Sequence, residues 1–181
     1  TGTLRLTFIQ AMMCHWPDSM MTYVGAADGG KGPAVLLSND AFGQHYTRAA
    51  FDDAADADGL WFEAEKYFVN IISPYCRNVQ QRLKELGELG MPVRTIAPSH
   101  GVIWRRDAEK VVAAYGRWAA QQTEPRCVIC FDTMYDSTRR MAEAVAQGLA
   151  DSEVAVRTFH LPTSDRSDVL TDIFGARGIL V

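Results

Sequence analysis

The last third of the chain restricts the fold most. After "QQTEPR" the sequence runs through an apolar strand "CVICF", a polar loop "DTMYDST", an amphipathic helix "RRMAEAVAQGLA", a strand "VAVRTFH", a helix from Ser167 and a strand "GILV". Strands separated by whole helices cannot pair as tight hairpins, so this β-α-β-α-β order predicts a parallel, doubly wound α/β sheet. The change of pattern sets a domain boundary near residue 124, giving one domain over 1–124 and a second over 125–181.

The first region reads differently. "TLRLTFI" alternates Leu4, Leu6 and Phe8 with Arg5 and Thr7, as a half-buried strand does. "PAVLLSND" and "VRTIAPSHG" are two more strands, the last ending in a proline turn. Between them a helical stretch runs from about Trp61 to Leu89 with a kink expected at Pro74, and a helix over roughly Arg106 to Gln121 closes the region.

Bulk properties exclude some classes. A net charge of −4 over 181 residues provides no broad basic field, so nucleic acid is not an expected partner. No apolar run approaches the roughly 18 residues of a membrane span and no leader precedes the first strand, so a soluble, cytoplasmic protein without membrane contact is expected. The chain opens at Thr1 and stops within "GILV", as a piece of a longer protein would. Its four cysteines are too sparse for a disulfide scaffold. Cys127 and Cys130 form a CxxC, but three residues apart on a strand they face opposite ways, which disfavours a metal clasp.

Two stretches imitate ligand loops. "GAADGGKG", residues 25 to 32, nearly matches a P-loop but has Gly32 where a hydroxyl is needed and leads into a strand, so a hairpin loop is expected. "FDDAADADGL" imitates a calcium loop, yet its first ligand position falls on Ala54; a solvated acidic turn before a helix is expected instead.

Three segments place metal-binding side chains where a strand gives way to a loop: His15 in "CHWPDS", Asp40 in "LLSNDAFGQH" and His100 in "IAPSHG". Imidazole and carboxylate suit zinc, iron or manganese. Strand ends are rigid and loops open, so ligands there are held in place while room remains for a substrate. His15 also interrupts a sulfur-rich apolar run, "AMMCHWPDSMMTYV", that could otherwise serve as soft core. In the second region, "FDTMYDST" offers hydroxyls from Thr133, Ser137 and Thr138 at a helix start, where backbone amides favour an anion. Such a loop suits a single phosphate, although a hydroxyl-rich turn also serves as a plain helix cap.

"HWPDSM", "SNDAFGQH" and "APSHGVIWR", in that order, resemble the metallo-β-lactamase-like domain of flavodiiron proteins, the oxygen and nitric oxide reductases; the resemblance extends to "KYFVNIISPY". "TMYDST" is similar to the FMN-phosphate loop of that family's flavodoxin-like domain. The resemblance implies part of an αββα metallo-β-lactamase-like sandwich followed by part of a flavodoxin-like sheet. It implies that His15 binds one non-haem iron, His100 the other, and Asp40 bridges them, while Thr133, Met134, Tyr135, Asp136, Ser137 and Thr138 wrap the FMN phosphate. His45 either faces the substrate pocket or orients the Asp40 loop from behind. Tyr67 and Phe68 stand where relatives often carry paired tyrosines, and a pocket-facing Phe68 would cost one hydroxyl donor.

Further implications concern the whole protein. Two ferrous ions and reduced FMN hold four electrons, enough to take dioxygen to water; two nitric oxide molecules need two. A rubredoxin or a flavin/NAD(P)H reductase is the expected electron donor, and a head-to-tail homodimer or dimer of dimers the expected assembly. The family's H-x-E-x-D ligands do not occur in this chain, and neither do its flavin-ring loops. The alternative is a zinc hydrolase on the same scaffold fused to a flavodoxin-like module; a third possibility is an electron-transfer flavoprotein with an inactive lactamase-like part.

Overall fold

A computed structural model of the chain describes residues 2–29 and 32–181. The chain divides into two compact units, Thr1–Ala120 and Gln121–Val181.

The first unit is built on a four-stranded sheet in sequence order: β1 (Leu4–Gln10), β2 (Met20–Ala26), β3 (Val35–Asn39) and β4 (Thr95–Pro98). The first three form an antiparallel meander, with Phe8 opposite Thr22 and Tyr23 opposite Leu36, and β4 joins β3 in parallel. Strand β2 has no counterpart among the expected strands. Its side chains are apolar on both faces, Met20 and Val24 on one and Met21 and Tyr23 on the other, so the polar-apolar alternation that marks a strand is missing. The connection from β2 to β3 is a hairpin as expected, although Gly30 and Lys31 at its tip lie outside the described residues. One face of the sheet, through Met21, Tyr23, Leu36 and Ile96, is buried; the other leaves Leu6, Phe8, Met20 and Leu37 exposed. The chain thus supplies one sheet with one helical layer, half of an αββα sandwich.

The helical layer begins with α1 (Ala57–Tyr67), passes through a π-helical turn at Phe68–Ile72 and a tight 3-10 turn at Ser73–Tyr75, and continues as α2 (Cys76–Glu88). The kink expected at Pro74 is this double change of pitch, which accommodates a residue with no backbone N–H to donate. The layer closes with α3 (Ala108–Ala119). Phe68, Tyr115 and Trp118 pack as tilted rings 4.9 to 5.6 Å apart.

The acidic turn departs from expectation at one residue. Asp52 is fully buried, and its carboxylate accepts N–H bonds from Arg105 (3.1 Å), Arg106 (3.1 Å) and Asp107 (2.7 Å), the residues that lead into α3. Asp53 forms a forked pair with Arg105 at 2.8 and 2.9 Å, and Asp56 caps α1 through the Gly59 amide. The carboxylates are thus committed to two helix starts. Replacing Asp52 by alanine leaves three backbone donors without their acceptor, and a loss of about 3 kcal/mol in urea unfolding of the full-length protein is expected. A loss under about 1 kcal/mol would mean that water replaces the carboxylate.

The second unit is a parallel sheet in the order β6-β5-β7: β5 (Glu124–Phe131), β6 (Ala155–His160) and β7 (Ala176–Leu180), with α4 (Ser137–Asp151) and α5 (Arg166–Gly175) as crossovers. Starting a sheet in the middle and winding outward both ways is the doubly wound pattern. Val128, Cys130, Val169 and Ala176 form its core with Phe159 and Ile173 packed against them. Cys130 belongs to that core, while the Cys127 thiol lies beside Gly178.

Candidate functional site

His15, Asp40 and His100 converge at the loop ends of the first unit. His15 follows β1, Asp40 follows β3 and His100 follows β4. Asp40 turns one oxygen to each ring: Oδ2 lies 3.6 Å from His15 Nε2 and Oδ1 lies 3.6 Å from His100 Nε2.

Left-handed backbone flanks all three. Met13 (φ 63°), Asn39 (φ 58°) and Phe42 (φ 66°) are left-handed without being glycine, and Gly101 follows His100 at φ 83°. At the three non-glycine residues such conformations cost of order 1–3 kcal/mol each and persist only where the surroundings enforce them, while glycine adopts them freely. The surroundings do so here. Phe42 donates its N–H to the Tyr115 hydroxyl (2.8 Å), and its carbonyl accepts from Trp104 Nε1 (2.8 Å). Ser38 Oγ donates to Ala41 O, and Gly43 N to Asp40 O. Gln44, wholly buried, receives the Val102 N–H (2.7 Å) and donates to the Val102 carbonyl (3.2 Å), which ties the Asp40 loop to the His100 loop.

Other groups complete the wall. Ser99 Oγ donates to Asp40 Oδ1 at 3.0 Å. The Tyr67 hydroxyl is 3.2 Å from His100 Nε2; burial first, and then the Asp40 carboxylate, push this phenol above its usual range, so it stays protonated. Of the Tyr67–Phe68 pair it is therefore the tyrosine that faces the site, while Phe68 is buried against Tyr115 and Trp118, and no hydroxyl is lost. His45, an exposed residue, stacks at 5.7 Å on the His100 ring and meets Tyr67 edge-on at 5.2 Å. The Cys14 thiol, pushed up to about 11 by burial, stays neutral and is no thiolate ligand. Ser99, Gln44 and Gly43 escape sequence reading; the only signal for them is their position next to an expected ligand.

The residues present fit part of a two-metal centre. Among the described residues no group of three or more His, Cys, Asp or Glu side chains could hold a metal ion. The geometry explains why: each side of Asp40 combines one imidazole with one carboxylate oxygen, two donors where a metal takes four or more. His100 Nδ1 is also buried without a hydrogen-bond partner, and lies against Gly43, where a Cβ would come within 3.2 Å of it.

In the second unit the loop 132–138 joins β5 to α4. Asp136 is left-handed (φ 60°) and does not cap α4; its carboxylate pairs with Arg139 at 3.0 Å instead. Thr133 Oγ1 is buried without a partner. The hydroxyl-rich turn is thus not a side-chain cap, and the first amides of α4 remain available to an anion. Met134 and Tyr135 are about 85% exposed and Ser137 and Thr138 are exposed beside them.

No family model matches the chain. The nitric oxide reductase of Moorella thermoacetica is 46% identical over 181 residues, 99% of this chain and 44% of that protein. The anaerobic nitric oxide reductase flavorubredoxin of Klebsiella pneumoniae is 44% identical over 180 residues, 98% of this chain and 36% of that protein. Among solved structures, the rubredoxin oxygen:oxidoreductase of Desulfovibrio gigas matches with a TM-score of 0.87 at 30% identity over 96% of this chain and 43% of its own. The flavodiiron protein of Giardia intestinalis matches with a TM-score of 0.82 at 30% identity over 92% of this chain and 40% of its own. The chain thus spans less than half the length of these relatives. Its likeness to them covers nearly the whole chain, both compact units included, and on that ground the chain belongs to the flavodiiron protein family.

Proposed function

We propose that the full-length protein is a flavodiiron oxidoreductase that reduces dioxygen to water, nitric oxide to nitrous oxide, or both, at two non-haem irons supplied with electrons by FMN. The observation that carries this reading is the division of Asp40 between two imidazoles, one oxygen at 3.6 Å from each. A carboxylate so placed suits two cations side by side, because it offers each an oxygen and offsets part of their repulsion. When bound, the iron pair and the reduced flavin would supply two electrons each.

This chain's own residues would do the rest. His15 and His100 would hold one ion apiece, with Asp40 spanning both and Ser99 fixing the carboxylate rotamer. The Tyr67 hydroxyl keeps its proton at the wall of the site, available to a bound substrate, and His45 stands beside it with a second exchangeable proton. Thr133 to Thr138, with the amides at the start of α4, would bind the flavin phosphate. A rubredoxin or a flavin/NAD(P)H reductase as donor, a head-to-tail homodimer or dimer of dimers, and a cytoplasmic location complete the proposal. No helix among the described residues is long and apolar enough to cross a membrane. The zinc hydrolase is disfavoured because a phosphate loop for a redox cofactor has no use in hydrolysis, and the relatives above are named as reductases.

Metal analysis and a visible spectrum of the purified full-length protein test the reading. Two irons and a flavin band per subunit support it, and zinc without flavin ends it. The role given to Tyr67 has its own test. Tyr67→Phe is expected to lower turnover about tenfold or more while iron and FMN content stay unchanged; loss of iron in that variant would make Tyr67 a structural support instead.

A further inference from the structure

His160 ends β6 directly opposite Phe131, the last residue of β5, and the two rings stack at 5.3 Å with an interplanar angle of 24°. Its Nε2 is buried without a hydrogen-bond partner and lies 3.8 Å from Asp132 Oδ1. Its Nδ1 is 3.2 Å from Thr163 Oγ1, which is also 3.2 Å from the His160 carbonyl. A hydroxyl has one hydrogen to give. The carbonyl already accepts from Ser164 Oγ at 2.9 Å and Ser164 N at 3.1 Å, so Thr163 is free to give its hydrogen to Nδ1, which leaves the one ring proton of a neutral imidazole on Nε2, toward the Asp132 oxygen. A neutral ring meets the carboxylate only as a dipole, and a second ring proton turns that contact into an ion pair.

The other charges near this ring are engaged elsewhere. From α4, Arg139 lies 5.6 Å over the Phe131 ring and pairs with Asp136. Arg157, three residues back on β6 and so on the opposite face, pairs with Asp172 at 3.1 Å. Asp165 caps α5 through the Ser167 and Asp168 amides. Asp132 is the carboxylate facing the ring, and its Oδ1 accepts the Thr133 N–H at 2.6 Å. The ring is thereby linked through Asp132 to the residue whose hydroxyl is buried and unpartnered.

We propose that His160 is a positioning residue for the anion held by the loop 132–138: as imidazolium it pairs with Asp132 and cancels a negative charge beside the phosphate, so flavin phosphate is held more tightly as pH falls. This rests on reading that loop as the FMN-phosphate loop. The sign follows from charge. With a neutral ring, Asp132 repels the phosphate; with a cationic ring, the pair is neutral. By reciprocity, bound phosphate raises the proton affinity of the ring.

The test is FMN affinity of the full-length apoprotein, read by flavin fluorescence quenching between about pH 5.5 and 8, where histidine titrates. Taking the ratio of Kd in His160→Gln to Kd in the wild type cancels the titration of the phosphate itself. That ratio is expected to rise about three- to tenfold from the alkaline to the acid end, the effect of one charge at short range in a partly solvated site. Asp132→Asn is expected to tighten FMN binding at pH 8, and riboflavin, which lacks the phosphate, is expected to show no pH-dependent ratio. FMN bound by both forms with a constant ratio overturns the inference. If His160→Gln does not fold, NMR titration of the His160 ring in the wild type serves instead: its pKa must rise when FMN binds, and an unchanged value overturns the inference. Failure of the wild type to bind FMN at any pH would overturn the flavin reading itself.

Discussion

Asp40→Ala is expected to strip both irons from the full-length protein at once and to abolish turnover while FMN stays bound. The reason is the sharing of a single side chain. Oδ2 faces His15 and Oδ1 faces His100, each at 3.6 Å, so each of the two proposed metal positions would draw half of the donors that this chain provides from the same carboxylate. Without it, two dications would sit side by side with no anion between them and one imidazole each from this segment. Replacing an outer partner of a metal ligand costs 10- to 100-fold in affinity or activity; loss of the bridging ligand should exceed that, so turnover should fall by at least about a hundredfold. FMN should stay because Asp40 lies in the first compact unit and the loop 132–138 in the second. Iron analysis and the flavin band, measured on one sample, check both halves. Retention of two irons per subunit would show that Asp40 bridges nothing. Loss of one iron only would reassign it to a single position. His15→Ala and His100→Ala each leave the carboxylate in place, and should be milder in iron content though not in turnover.

The parts of this site that could be read in the sequence share a physical cause. His15, Asp40 and His100 each follow a strand, and a ligand just beyond a strand end is placed by the sheet, so linear position carries three-dimensional meaning. The parallel unit was legible because short apolar runs alternate with helix-length segments and are separated by polar loops, and the expected and observed elements agree to within a few residues. Strand β2 was not legible, because with apolar residues on both faces it has no period to find. Asp52 was not legible either. Its neighbours Asp53 and Asp56 are exposed and answer to nearby groups, but Asp52 is buried by amides more than fifty residues away, and nothing local announces such a partner. The choice between Tyr67 and Phe68 falls at the junction where α1 ends and the π-helical turn begins. A turn with a different pitch shifts the helical phase, and adjacent residues in a sequence cannot reveal the shift.

Gly101→Ala is expected to be the most damaging substitution at a residue with no side chain of its own. Two costs add there. The residue sits at φ 83°, where any Cβ is strained by roughly 1–2 kcal/mol. A Cβ at this place would also overlap the side-chain amide and the backbone carbonyl of Gln44. Gln44 cannot step aside cheaply, since it is fully buried and its amide serves both the N–H and the carbonyl of Val102. Moving it leaves those two backbone groups unpaired in the core, so the sum should reach about 4 kcal/mol, or roughly 10 °C in Tm. Gly90 separates the two costs. It is also left-handed, at φ 61°, but a Cβ there would meet nothing within 4 Å. Gly90→Ala should therefore lose only the conformational part, about 1 kcal/mol, and keep both irons. The larger loss at Gly101 should carry a functional signature as well. His100 is its neighbour, and a shift of that loop takes the imidazole away from Asp40 Oδ1 and the Tyr67 hydroxyl, so iron content should fall together with stability. Equal, small effects of the two glycine substitutions in urea unfolding would show that Gln44 does not hold the two ligand loops in register.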